Sequence, residues 1–188
     1  PSWITALRIS GDITVVGDRD GNVKAWNFQT GLEVSAMRMP RGINALELTG
    51  DVTVVADNRG NIKAWNFQTG AEISDVKMPS RVNVLELRSD IAVAGDDDGN
   101  VKAWDFRTNA EISAVKMPMS IKALKLIGDI AVAGDGFPNV DDLCNVKAWN
   151  FRTGAEISAV NVPHKISAFE LMGDMAFASD FAAALHVL

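Results

Sequence analysis

Gly21-Asn22-Val23-Lys24-Ala25-Trp26-Asn27-Phe28-Gln29-Thr30-Gly31 is stated four times in this chain, and its recurrence decides the fold. It returns from Gly60 to Gly70, from Gly99 to Asn109, and from Asn145 to Gly154, where Cys144 replaces the leading Gly. Trp26, Trp65 and Trp104 are spaced by 39 residues, and Trp149 follows after 45. A fixed period of this length is the signature of a repeat architecture, in which each unit is one small supersecondary element.

Aligned on the Trp, the chain divides into units 1–39, 40–78, 79–117, 118–162 and 163–188. Each reads as four short strands. The first is apolar-rich (4–9, 43–48, 82–87, 121–126 and 166–171) and is followed by a Gly-Asp or Ser-Asp turn. The second is short and apolar throughout, as in Ile91-Ala92-Val93-Ala94, which predicts burial on both faces, since a half-exposed strand alternates. An Asp-rich turn leads to the third strand, which carries the Trp. A Thr-Gly or Thr-Asn turn, where Gly or Asn takes positive φ, opens the fourth. Four strands and four turns leave no room for a helix. Evenly spaced short strands mean an all-β sandwich, barrel or propeller, and sheets that recur at a fixed period must stack on one another to bury both faces. The expected fold is a β-propeller of four-stranded blades, five in number, forming one domain over 1–188.

The units resemble WD40 repeats, and the resemblance covers essentially the whole chain. It rests on the Gly-Asp turn, the Asp-Gly-Asn turn, Val-Lys-Ala-Trp-Asn/Asp and Thr-Gly. Asp20 and Asp98 fall where such blades place their Asp; Trp104-Asp105 is a literal Trp-Asp pair, and Asn27, Asn66 and Asn150 replace the Asp elsewhere. The Gly-His pair ahead of the first strand is replaced by Met-Pro, so the resemblance does not extend to a full Asp–His–Ser–Trp network. His164 is the nearest counterpart. The Thr-Gly turn is also similar to that of quinoprotein blades, which put their Trp on the following strand.

The fifth unit aligns Asp180 with Asp96 and Leu188 with Trp104, so the last blade is expected to lack its outer strand. The strand edge over 183–188, between Ala183 and Leu188, would then be unpaired, a feature that natural sheets usually cover.

Composition narrows the function classes. The net charge of −6 and the absence of any Lys/Arg run argue against nucleic-acid binding, which needs a basic face. No run approaches the roughly 18 apolar residues of a membrane-spanning helix. Pro1 fits a start from which an initiator Met is removed, no signal segment is visible, and the single Cys144 suits a reducing compartment, so the expected location is intracellular and cytoplasmic.

Candidate sites fall into repeated and unrepeated features. Asp18-Arg19-Asp20-Gly21-Asn22 and Asp96-Asp97-Asp98-Gly99-Asn100 bring oxygen ligands together, yet the twelfth position counted from Asp18 is Gln29, where a calcium loop needs Glu. The hairpin reading therefore prevails, and neither metal nor cofactor is expected. Lys24, Lys63, Lys102 and Lys147 precede Glu33, Glu72, Glu111 and Glu156 by nine residues, a spacing that predicts cross-strand pairs. Repetition in every unit marks these as structural. With two His and one Cys no nucleophilic set assembles, and no phosphate loop, CxxC or HExxH occurs. No enzyme activity is expected.

The unrepeated positions point to partner binding. The insertion in unit four exposes Phe137 and Leu143 beside Asp141 and Asp142, and loops carry function more often than scaffolds. In WD40 blades, which these units resemble, such turns share one face with the links that here carry Trp3, Arg41, Arg81, Met119, His164 and Lys165. Trp and Arg on a variable ring are what a protein or peptide partner site contains. The expected function is a non-enzymatic interaction scaffold. The alternatives are a five-bladed lectin-like ligand binder, or an assembly protein whose last blade accepts a strand from another chain at the 183–188 edge.

Overall fold

The computed structural model describes residues 2–136, 144–162, 166–172, 175–180 and 185–187, the last three segments through their backbone. Five antiparallel meanders follow one another. The first comprises β1 Ile4–Ser10, β2 Ile13–Asp18, β3 Asn22–Asn27 and β4 Glu33–Arg38. The second is β5 Ile43–Thr49, β6 Val52–Asp57, β7 Asn61–Asn66 and β8 Ala71–Lys77. The third is β9 Val82–Arg88, β10 Ile91–Asp96, β11 Asn100–Asp105 and β12 Glu111–Lys116. The fourth is β13 Ile121–Ile127, β14 Ile130–Asp135, β15 Cys144–Asn150 and β16 Glu156–Val162. The fifth holds β17 Ile166–Met172, β18 Met175–Asp180 and β19 Leu185–Val187, a three-stranded sheet as the alignment of Leu188 with Trp104 predicts.

Local chemistry fixes each meander. In the turn between second and third strands the Asp18 carboxylate accepts the N–H groups of Asp20 and Asn22, both at 2.9 Å, and the Asn22 side-chain amide at 2.8 Å. Asp57, Asp96 and Asp135 repeat this and are wholly buried. The anchor of the turn is thus Asp18 and its equivalents; Asp20 and Asp98, to which the WD40 pattern draws attention, are exposed. Carboxylates that accept several N–H donors tie the hairpin together, and among the described residues no cluster of three metal-ligating side chains occurs. Gly21 closes the turn at φ 86°, and a Cβ there would stand 2.5 Å from the Met39 carbonyl oxygen, so only Gly fits.

The Asn27 side-chain oxygen accepts the N–H groups of Gln29 (2.9 Å) and Thr30 (3.0 Å), and Asp105 does the same for Arg107 and Thr108. Only an oxygen at that point is required, which explains why Asn and Asp interchange after the Trp. Asn109 takes φ 63° where other units use Gly. The predicted cross-strand pairs form in all four complete sheets: Lys24–Glu33 at 2.8 Å, Lys63–Glu72 and Lys147–Glu156 at 2.6 Å, and Lys102–Glu111 at 2.7 Å.

The core lies between sheets. β6 and β10 are buried at every position, as their unbroken apolar runs require. Each interface joins the Trp and Phe of one sheet to the opposite face of the sheet before it. Trp65 and Phe67 pack with Val15, Val23 and Met39; Trp104 and Phe106 with Val54, Ile62 and Met78; Trp149 and Phe151 with Val93, Val101 and Met117. Ser35 and Ser113 reinforce the contact by donating hydroxyl hydrogen bonds to the carbonyls of Phe67 and Phe151 of the next sheet. The first strands line up in order, β1 beside β5, β5 beside β9, β9 beside β13 and β13 beside β17. Among the described residues β17 makes no matching approach to β1, so the blades form an arc.

Candidate functional site

The inner strands and one set of loops carry the unrepeated side chains. Along the inner wall the equivalent positions on β1, β5, β9 and β13 are Arg8, Glu47, Glu86 and Lys125. Arg8 holds both carboxylate oxygens of Glu47, through Nη2 and, at 3.0 Å, Nε; Lys125 Nζ reaches Glu86 at 3.0 Å. Burial pushes the Glu86 carboxyl up against the pull of Lys125. The wall is therefore internally paired.

On the loop face, Trp3 and Arg81 come together although they belong to the first and third units. They border one hollow with Arg19, Gly42, Asn44 and Asn58. Trp3 is 73% exposed, and the Arg19 guanidinium lies 4.9 Å from the centre of its ring. The Arg19 N–H donates to the Trp3 carbonyl at 3.0 Å, and the Asn58 N–H to that of Gly42 at 3.0 Å, so backbone hydrogen bonds brace the rim. Arg81 Nη2 donates to Asn44 Oδ1 at 2.8 Å, while the Asn44 amide nitrogen donates to the Val82 carbonyl. Two guanidinium groups, an exposed indole and two amides converge. Such a lining suits a carboxylate or the polar backbone of an extended segment.

Beside it, Asp97 accepts from Asn83 at 2.6 Å and from Ser120 at 2.9 Å, with Lys122 at 3.7 Å. Burial pushes the Asp97 carboxyl up, but the hydrogen bonds from Asn83 and Ser120 and the charges of Lys122 and Arg81 outweigh it and hold it below the usual carboxylate range.

Of the residues singled out by sequence, Trp3 and Arg81 line the hollow. Arg41 is exposed outside it, and half-buried Met119 serves through its backbone, its N–H donating to Asp135 at 3.1 Å. Phe137, Asp141, Asp142, Leu143, His164 and Lys165 lie outside the described residues. Arg19, Asn44 and Asn58 were not singled out. Their only signal in the sequence is variation among aligned positions, as at Arg19, Asn58 and Asp97. Of the four repeated Trp, Trp65, Trp104 and Trp149 are at most 2% exposed and Trp26 is half-buried, so they do not form the set of equivalent exposed aromatics that the lectin-like alternative requires.

No protein-family model matches the chain, and no curated protein sequence matches it. Solved structures do. The computationally designed Ika8 protein superposes with a TM-score of 0.89 at 27% identity over 98% of this chain and 57% of its own. The computationally designed Ika4 protein gives 0.72 at 28% identity, over 79% of this chain and 91% of its own. A chain of the mitotic checkpoint complex gives 0.84 at 17% identity, over 99% of this chain and 60% of its own. The chain thus spans less than two thirds of the Ika8 and checkpoint-complex chains. Its fold is a β-propeller repeat fold similar to that of WD40 proteins.

Proposed function

We propose that this chain is a non-enzymatic interaction module whose loop face takes a protein or peptide partner, with the hollow between Trp3 and Arg81 as the principal contact. The exposed Trp3 ring under the Arg19 guanidinium carries this reading, because a solvent-facing Trp–Arg stack beside a second Arg is the composition of an interface hot spot. The chemistry of the lining favours an extended segment with an acidic side chain or a terminal carboxylate. Fold alone does not fix function, so the lining rather than the likeness supports the proposal.

The test is selection from a displayed peptide library, followed by affinity measurement on the strongest binder. Trp3→Ala and Arg81→Ala are each expected to weaken binding by about tenfold or more, the usual effect of removing a hot-spot side chain. Enriched peptides should carry Asp, Glu or a free C-terminus. Binding unchanged in both variants would overturn the assignment of the hollow.

A further inference from the structure

The net charge of −6 conceals an uneven distribution. Along the strands and at one end of the sheets the cations are neutralised where they stand. The Lys–Glu pairs hold the outer strands, Arg8 and Lys125 are paired on the inner wall, and Arg107 and Arg152 hold Asp90 and Asp129 at 2.6 and 2.7 Å. Among the described residues, the cations in no ion pair gather at the other end, around the hollow. Arg88, the last residue of β9, is the exception and lies at the opposite end.

Four exposed arginines occupy successive loop segments there. Arg19 stands in the turn between β2 and β3, Arg41 in the link to β5, Arg59 in the turn between β6 and β7, and Arg81 in the link to β9. These segments abut one another. A Cβ on Gly21 would stand 2.6 Å from the Arg41 carbonyl oxygen, and one on Gly42 2.4 Å from that of Arg19, so the first turn and first link are in backbone contact. The Asn58 N–H donates to the Gly42 carbonyl at 3.0 Å, joining that link to the second turn. A Cβ on Gly60 would stand 2.4 Å from the Ser80 carbonyl oxygen, which continues the contact into the second link.

The arginines thus follow one another along a continuous backbone ridge. Arg38 and Lys77 flank it and donate only to neutral acceptors: Arg38 Nη1 to Asn22 Oδ1 at 3.3 Å, and Lys77 Nζ to the Arg59 carbonyl at 2.5 Å and Asn61 Oδ1 at 2.9 Å. Asp20 is the only exposed acid on these segments. The ridge ends at the third turn, where the Asp97 N–H donates to the Arg81 carbonyl at 2.9 Å and Asp97 and Asp98 take the place of the Arg-bearing pairs.

We propose that the ridge binds a polyacidic protein segment, an extended stretch with carboxylates on neighbouring residues, which runs from the hollow onto Arg41 and Arg59. The inference rests on the hollow being a partner site and extends it to the charge of the whole partner. Guanidinium forks match carboxylates, and these four have no internal carboxylate to give up first. Single-stranded nucleic acid is also anionic, but it needs a series of exposed rings on which successive bases stack. Trp3 is the one exposed ring beside the described part of the ridge.

The experiment is fluorescence anisotropy with a labelled oligoglutamate peptide, repeated with the tightest peptide from the displayed library. Oligoglutamate is expected to bind at low salt and to be released as salt rises, since exposed charges are screened over about 10 Å at 0.1 M. Arg41→Glu and Arg59→Glu, both outside the hollow, should each weaken it by about fivefold, an exposed pair lost and replaced by repulsion. Arg88→Glu makes the same change in net charge at the opposite end and should leave binding unchanged. Absence of binding at low salt, an equal loss in Arg88→Glu, or tighter binding of oligothymidylate than of oligoglutamate would overturn the proposal. A library peptide weakened by Trp3→Ala and Arg81→Ala but not by Arg41→Glu or Arg59→Glu would keep the hollow and overturn the ridge. The reverse pattern would keep the ridge and overturn the hollow. Circular dichroism checks folding, and Arg41→Gln and Arg59→Gln give the same reading if a Glu variant unfolds.

Discussion

Gly17 lies directly beneath Ile43 of the next sheet, so close that a Cβ on Gly17 would stand 2.6 Å from Ile43 Cγ2. Gly95 has the same relation to Ile121, also at 2.6 Å. At the intervening junction the equivalent residues are Ala56 and Val82, members of one core cluster. A methyl is added on one side where a methyl is removed on the other. Gly17→Ala is expected to destabilise the chain by about 1–3 kcal/mol through overpacking, and adding Ile43→Val, the combination that Ala56 and Val82 already use, should recover part of the loss, since Val shortens the side chain but keeps the Cβ and Cγ atoms that meet the new methyl. Urea denaturation of the two single variants and the double variant measures the coupling; strict additivity would sink the explanation.

The buried turn carboxylates should be the costliest polar groups to remove. Asp96 is wholly buried and accepts the N–H groups of Asp98 and Asn100 at 3.0 and 2.8 Å. Asp96→Ala leaves those donors unpaired and is expected to cost about 1–3 kcal/mol per unsatisfied group. Exposed Asp98→Ala, its neighbour but one, should change the denaturation midpoint little.

Acid should loosen the first sheet through Asp18. Burial pushes this carboxyl up, but hydrogen bonds from the Asn22 side chain and from the backbone of Asn22, Asp20 and Gly21 outweigh it, so its folded-state pKa lies below the ordinary value. A depressed carboxyl contributes stability that is present above its unfolded pKa of about 3.9 and is lost as pH falls through the folded value. The stability gap between wild type and Asp18→Asn should therefore be widest near neutrality and shrink below about pH 4. A gap that is constant with pH would show that charge plays no part.

Thr53 and Trp65 face each other across β6 and β7, and Thr53 Oγ1 and Trp65 Nε1 are both buried without a hydrogen-bond partner. Ala92 and Ala131 hold the position of Thr53 in the third and fourth sheets. Thr53→Val removes a desolvated hydroxyl and is expected to raise the thermal midpoint, by about 1 kcal/mol in stability. A lowered midpoint would mean that the hydroxyl is satisfied in solution.

The Lys–Glu pairs recur in every complete sheet, yet their exposure limits them. Glu111 is about half exposed beside Lys102. Lys102→Ala is expected to cost at most about 1 kcal/mol, and less in high salt. A loss of several kcal/mol independent of salt would assign the pair a larger role.

The sequence by itself determined what is local. The period of the Trp residues, the apolar runs of the second strands, the Thr-Gly turns and the nine-residue Lys–Glu spacing placed the strands and their pairing, because hairpin register depends only on neighbours along the chain. The three strands of the fifth sheet were legible from the alignment of Asp180 with Asp96 and Leu188 with Trp104. Even there the WD40 pattern drew attention to Asp20 and Asp98, while the buried anchors are Asp57, Asp96 and Asp135, with Asp18 their counterpart. What only the tertiary structure decided lies between units. The hollow joins Trp3 to Arg81 across 78 positions of sequence, and Arg8 finds Glu47 across 39. The arc leaves Ile4 and Phe28 bare while Ile43 and Phe67 are sealed. Identical strand patterns serve a covered and an uncovered sheet alike. The angle between successive sheets comes from packing such as Gly17 against Ile43, summed along the arc, and no single unit encodes where that sum closes.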